Sequence, residues 1–387
     1  MLKTRSVRFE VILFTTMRLV TNTAIRMGNP FLLVFARGMG VELGEVATAL
    51  AAASASSSLG PFLAQIADRR GRRTGILLGL AIFSIGTALV FIWPSYLTFF
   101  IAILLANLGN NIFQPSVQAY ISDATPYKQR GLYLSILEIS WAGSFILCIP
   151  LVGFLIDHLT WQSPFAVISS LGLLSIIIVL LTIKKDHPTA EENENRISIL
   201  QVVKYRPAIF AVLMGASFVC ANALVTVMFG VWVEDSFNLE IAAIGAAAAV
   251  IGFSELSGEA IVGWLADHLG KQKSIILGLV LNSLWVAALP VASQTLTGAM
   301  IWLFFFFLTF EITMVSAIPM ISEIIPNARA TMLSLFFSCS SLGWALGAFL
   351  APRFYSLGGF IVDAIAAAAF NLLALAFMQG IKLKHLS

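Results

Sequence analysis

Stretches of this chain that are otherwise apolar carry a few charged and amide side chains at helical spacing. Arg18, Asn22 and Arg26 stand at i, i+4 and i+8, on one face of a helix. Asn107, Asn111, Gln114 and Gln118 share a face of another helix. Glu138 stands alone, Glu255 and Glu259 are one turn apart, and Glu311 follows in a later stretch. The chemistry open to such groups is narrow. A carboxylate in an apolar setting pairs with a cation or takes up a proton, and a guanidinium there holds an anion. Nucleophilic or metal chemistry needs clustered partners. His158, His187, His268 and His385 are scattered through loops and tails, and Cys148, Cys220 and Cys339 make no ligand or disulfide pattern. No catalytic residue, metal ligand or bound cofactor is expected, and the chain is not expected to be an enzyme.

The elements that hold these residues follow from composition. Hydrophobic residues make up 59% of the chain and charged ones 11%, and the mean hydropathy is +0.91. A soluble domain carries about 25% charged residues. Apolar runs long enough to cross a bilayer as helices lie at 9–36, 43–66, 74–93, 97–121, 131–156, 163–183, 207–233, 241–264, 274–292, 298–321, 331–351 and 359–380. The alternation of a β-barrel is absent. The basic start, Lys3, Arg5 and Arg8, leads into the first run without a small-residue cleavage site, so that run is expected to remain as a helix.

Nineteen of the 23 Lys and Arg residues fall in segments that are cytoplasmic if the N-terminus is inside. Only Arg37 and Arg353 fall outside, and Arg18 and Arg26 lie within the first run. This bias predicts cytoplasmic termini, and it accounts for the net charge of +3 without any nucleic-acid surface. Glu255 and Glu311 are each twelve residues from an acidic loop residue, Asp267 or Glu323. At helical rise that is roughly 18 Å, near the membrane midplane. The polar stretch from Lys184 to Arg206 reads as a cytoplasmic linker between a first half, 1–183, and a second, 207–387.

The halves share two loops. Ala64-Gln-Ile-Ala-Asp68-Arg69-Arg70-Gly71-Arg72-Arg73 is answered 199 residues on by Gly263-Trp-Leu-Ala-Asp267-His-Leu-Gly270-Lys271. Ile121-Ser122-Asp123, with Pro126 and Arg130, is answered by Ile321-Ser322-Glu323, with Pro326 and Arg329. The same offsets set Ser56 against Glu255, Gly60 against Glu259 and Asn111 against Glu311. The loops are thus duplicated and the buried acids are not, which favours a specific role for the acids.

These loops resemble the major facilitator superfamily, whose best-known motif, between its second and third helices, runs Gly-x-Leu-Ala-Asp-Arg-x-Gly-Arg-Arg/Lys. The first copy departs at Ala64 and Ile66, and matches at Asp68, Arg69, Gly71, Arg72 and Arg73. Trp161-Gln-Ser-Pro-Phe165 is similarly typical. The resemblance implies twelve transmembrane helices in two pseudo-symmetric six-helix bundles, all-α. It implies secondary transport of a small molecule by alternating access, in a monomer seated in a lipid bilayer of bacterial inner-membrane type. No nucleotide-binding fingerprint is present, so an ion gradient, first of all protons, is expected to drive it.

On this resemblance Arg18, Asn22, Arg26, Asn107, Asn111 and Gln114 face the substrate cavity. Glu255, Glu311, Glu259 and Glu138 are the proton-coupling candidates, and Arg26 is a prospective charge partner for the deeper acids. Asp68, Arg69, Gly71, Arg72, Asp123, Arg130, Asp267 and Gly270 form the gating loops, with Asp68 and Asp123 the alternative partners of Arg72. Of the Gly/Pro pattern that many exporters carry in the fifth helix, only Pro150 and Gly153 fit. Export is the first expectation and uptake of a nutrient or organic anion the alternative. A membrane-embedded enzyme or a transporter-like sensor is more distant.

Overall fold

A computed structural model of the chain describes residues 7–63, 71–183, 202 and 204–381. Asp68, Arg69, nearly all of the linker and both termini lie outside the described residues, as does the side chain of Asp267. Every regular element among the described residues is helical. In order they are α1 (Val7–Arg26), α2 (Leu32–Met39), α3 (Leu43–Ser56), α4 (Arg72–Ile92), α5 (Tyr96–Ala124), α6 (Tyr127–Gly143), a π-helical turn (Ser144–Cys148) and α7 (Ile149–His158). Then follow α8 (Ser163–Thr182), α9 (Arg206–Phe237), α10 (Ile241–Leu269), α11 (Lys271–Ala292), α12 (Leu296–Ile324), α13 (Arg329–Gly358) and α14 (Phe360–Gln379).

Eleven stretches of helix among the described residues are long and apolar enough to cross a membrane. α1 is the twelfth by position. Its 20 residues reach about 30 Å, but Arg8, Glu10, Arg18 and Arg26 load it with charge. The first apolar run is not one helix, because turns at residues 27–31 separate α1 from α2. Gly28-Asn29-Pro30 lies in that break, where proline removes a backbone donor and glycine loosens the chain. Pro115 and Pro319 are carried inside continuous helices. Pro150 follows the π-helical turn, which adapts the backbone to the donor that proline lacks.

Helix entry is encoded locally and twice. Ser95 accepts from the Thr98 amide at 3.2 Å before α5, and Thr295, 200 residues on, accepts from the Gly298 amide at 3.1 Å before α12. The helices gather into two packed units. In the first, α1, α4, α5, α6 and α8 enclose a core that includes Phe14, Ile76, Phe113 and Leu137. In the second, α9 packs along α13 and α14, and α11 along α12 and α14, around Phe218, Met320 and Phe336. Leu43–Ser58 belongs with the second unit, where α3 lies on α13, and Glu240–Gly252 belongs with the first. The packed units therefore exchange one helical segment each relative to a cut at the linker.

Candidate functional site

The first unit brings the scattered polar residues of α1, α5 and α6 together. Arg18, the twelfth of the 20 residues of α1, is 1% exposed, so its side chain does not reach water. It meets Glu138 instead, in a bidentate pair. Nη1 donates to Oε1 and Nη2 to Oε2, both at 2.9 Å. Arg18 Nη2 also donates to Gln114 Oε1 at 3.0 Å, and Gln118 Nε2 donates to Glu138 Oε1 at 2.9 Å. Gln114 Nε2 donates to Asn22 Oδ1 at 2.8 Å, and Asn22 Nδ2 to Ser140 Oγ at 3.3 Å. Three helices are thus laced by one continuous network around a buried ion pair.

The network is asymmetric. Arg18 is enclosed, whereas the Glu138 side chain is 44% exposed. A guanidinium keeps its proton at any working pH, so the carboxylate is the partner able to change charge. Glu138 lies nine residues into the helical stretch Gln129–His158, roughly 14 Å along it. The parallel fork matches donor spacing to carboxylate spacing, which lysine could not do.

Two turns on from Arg18, Arg26 is 6% exposed. Its Nη1 donates to the Trp141 carbonyl at 2.7 Å, and its guanidinium lies 4.1 Å from the Trp141 ring and 3.8 Å from the Phe145 ring. Trp141 lies three residues before the first residue of the π-helical turn, Ser144, whose Oγ donates to the same carbonyl at 2.7 Å. The local widening of the helix lets one carbonyl serve two side-chain donors. Asn107 is buried and Asn111 half-buried on α5, and both are engaged in polar contacts.

In the second unit Glu255 is 5% and Glu311 7% exposed, and Glu259 is half-buried. None of the three lacks a partner. α10 comes close to α12 here because residue 258 is glycine. A Cβ on Gly258 would stand 2.7 Å from the Cβ of Glu311. A separate amide ladder ties three helices. Asn371 Nδ2 donates to Asn282 Oδ1 at 2.7 Å, and Asn282 Nδ2 donates to the Phe306 carbonyl at 2.6 Å and Thr309 Oγ1 at 3.1 Å. Sequence reasoning passed over Asn282 and Asn371, as well as Ser140. The available signal for the two amides was a lone Asn in an apolar run.

The duplicated loops have duplicated geometry. Gly71 and Gly270 precede α4 and α11 at φ +93° and +81°, with ψ near 150°, a conformation that only glycine adopts readily. At Gly270 no neighbour lies where a Cβ would strike, so there the backbone angle and not space requires glycine. Arg72 Nε meets Asp123 Oδ2 at 3.3 Å, and Lys271 Nζ meets Glu323 Oε1 at 2.5 Å. Each pair joins the start of one helix to the end of the next within its own unit. Arg130 is half-buried at the start of α6 and has a partner.

A family model described as Major Facilitator Superfamily matches residues 14–348. The chain is 24% identical over 341 residues to an uncharacterized MFS-type transporter, YwfA, of Bacillus subtilis (strain 168), across 84% of this chain and 81% of that one. It is 23% identical over 336 residues to multidrug resistance protein 2 of the same organism, across 84% and 80%. Its fold superposes with a TM-score of 0.79 and 15% identity on an inward-facing, unoccupied bacterial homolog of the human lysosomal transporter Spinster, over 97% of each chain.

Proposed function

This chain belongs to the major facilitator superfamily and is a multi-pass membrane transporter, and from that premise we propose that it is a proton-coupled secondary carrier exporting a small molecule, with Glu138 carrying the proton. One observation bears the reading: a fully buried arginine held by a half-exposed carboxylate inside a membrane span. Protonation of Glu138 removes the charge that balances Arg18. Arg18 cannot discharge itself, so α1 and α6 must rearrange until the guanidinium finds another anion or Glu138 loses its proton. The π-helical turn and Pro150 provide a place for the α6–α7 helix to bend. Substrate and proton then compete for one state of the pair, which is the requirement for exchange.

Export is supported by the similarity to a multidrug resistance protein. Two guanidiniums on one face of α1 favour a second reading, uptake of an organic anion. The test uses proteoliposomes with an imposed pH gradient and a substrate found by a toxicity screen in a transporter-deficient host. Glu138→Gln should abolish uphill transport and spare counterflow of labelled substrate, since exchange moves no net proton. Full uphill transport in that variant would remove Glu138 from the coupling role and return it to Glu255 or Glu311. The sign of the gradient that drives accumulation separates export from uptake.

A further inference from the structure

The second unit holds a carboxylate that the transport reading does not use. Asp363 lies in the first turn of α14 and is 0% exposed. Neither of its oxygens accepts a hydrogen bond from any described residue. Glu138, by contrast, takes three donors, and Glu255 and Glu311 have partners. A carboxylate anion with no donor in a protein interior has lost its hydration and gained nothing in return, whereas the acid form buries no charge.

The surroundings do not neutralise it. α14 packs against α9, α11 and α13. The charged and titratable groups at this end of those helices are Glu234 and Asp235 on α9 and Arg353 and Tyr355 on α13, and α11 contributes none there. Arg353 is turned onto its own helix, donating to the Phe349 carbonyl with its guanidinium 3.5 Å from the Phe349 ring. The remaining charges are acidic. Tyr355 lies at the same end, where its hydroxyl donates to Oδ2 of the exposed Asp235 at 2.7 Å. One turn before Asp363, Phe360 stacks on Trp232 at 4.3 Å with planes 13° apart, and both rings are buried.

We propose that Asp363 is a proton-binding site of the second unit, loaded from the end where α9, α13 and α14 meet. The step is the binding of one proton to one carboxylate oxygen, with no other bond made or broken. A metal ion is disfavoured because no three His, Cys, Asp or Glu side chains gather to hold one among the described residues. By the loop charges this end faces outward, so the site samples the outer pH. It does not depend on the role of Glu138.

Infrared spectroscopy of the full chain in liposomes tests this without a known substrate. At about pH 7 the wild type should show the carbonyl stretch of a protonated carboxylic acid that Asp363→Asn lacks. Raising the pH should remove the band. Identical spectra for wild type and Asp363→Asn would overturn the proposal. A band that persists at every pH tolerated by the fold would leave only a structural acid, and overturn it equally. Loss of the band on adding sodium at fixed pH would make this a sodium site and sink the proton assignment. Should Asp363→Asn fold poorly, carbon-13 labelling of aspartate in the unsubstituted chain reads the same band.

Discussion

The starts of α4 and α11 are built alike. A glycine at positive φ, Gly71 or Gly270, is followed by a base, Arg72 or Lys271, that pairs with an acid closing the next helix, Asp123 or Glu323. Inside the membrane spans the likeness stops. The first unit sets a buried arginine against one carboxylate amid amides. The second sets Glu255, Glu311 and Asp363 into α10, α12 and α14, with Asn282 and Asn371 bonded to each other nearby. The difference teaches which features duplication preserves. A helix entry needs its glycine wherever it is copied, and an exposed ion pair costs little to keep. A charge in the bilayer core costs free energy in every copy and persists where it is used.

The sharpest way to break the comparison is to empty the first unit of its pair. Glu138→Leu leaves Arg18 enclosed and uncompensated, and should destabilise the protein by about 3 kcal/mol, the low end for a broken buried pair because Glu138 is half-exposed. Arg18→Leu combined with Glu138→Leu should recover most of that loss while uphill transport stays absent. Unfolding in bicelles reads the first and proteoliposome flux the second. A double variant as unstable as the sum of the singles would show that the two residues are not energetically coupled.

The next effect concerns the glycines. Gly71→Ala and Gly270→Ala force a Cβ into a backbone region that tolerates glycine alone, and each should cost about 1–3 kcal/mol. The two costs should agree closely, because the two sites differ in φ by little. A large cost at one site and none at the other would mean that the loops are alike in sequence but not in conformation.

The smallest effect belongs to the loop ion pairs. Asp123→Asn and Glu323→Gln remove exposed partners and should each change stability by less than about 1 kcal/mol, with the difference vanishing in high salt. A much larger fall in turnover than in stability would assign these pairs to the transport cycle. Equal small falls in both would leave them with helix ends alone.

Most of the helices were legible, because apolar runs and the loop glycines are local signals. The break between α1 and α2 was less so, since Pro30 announces a bend but not its extent. Charge and topology offered Arg72 two partners, Asp68 and Asp123, and the structure shows it with Asp123, Asp68 lying outside the described residues. The partner of Arg18 was not anticipated, because Glu138 lies 120 residues away and several acids were equally available. Asp363 escaped notice because an acid in the first turn of a helix ordinarily faces its free amides or water.

Sequence alone determined that this is a polytopic helical membrane protein with repeated loops. Those properties depend on hydropathy and charge summed over short windows, which folding cannot rearrange. Only the tertiary structure decided which polar groups meet: Arg18 with Glu138, Asn282 with Asn371, and Asp363 with no donor among the described residues. In an apolar interior the state of a charged side chain is set within about 4 Å by atoms from other helices. Helix packing brings those atoms together, and spacing along one chain does not reveal it.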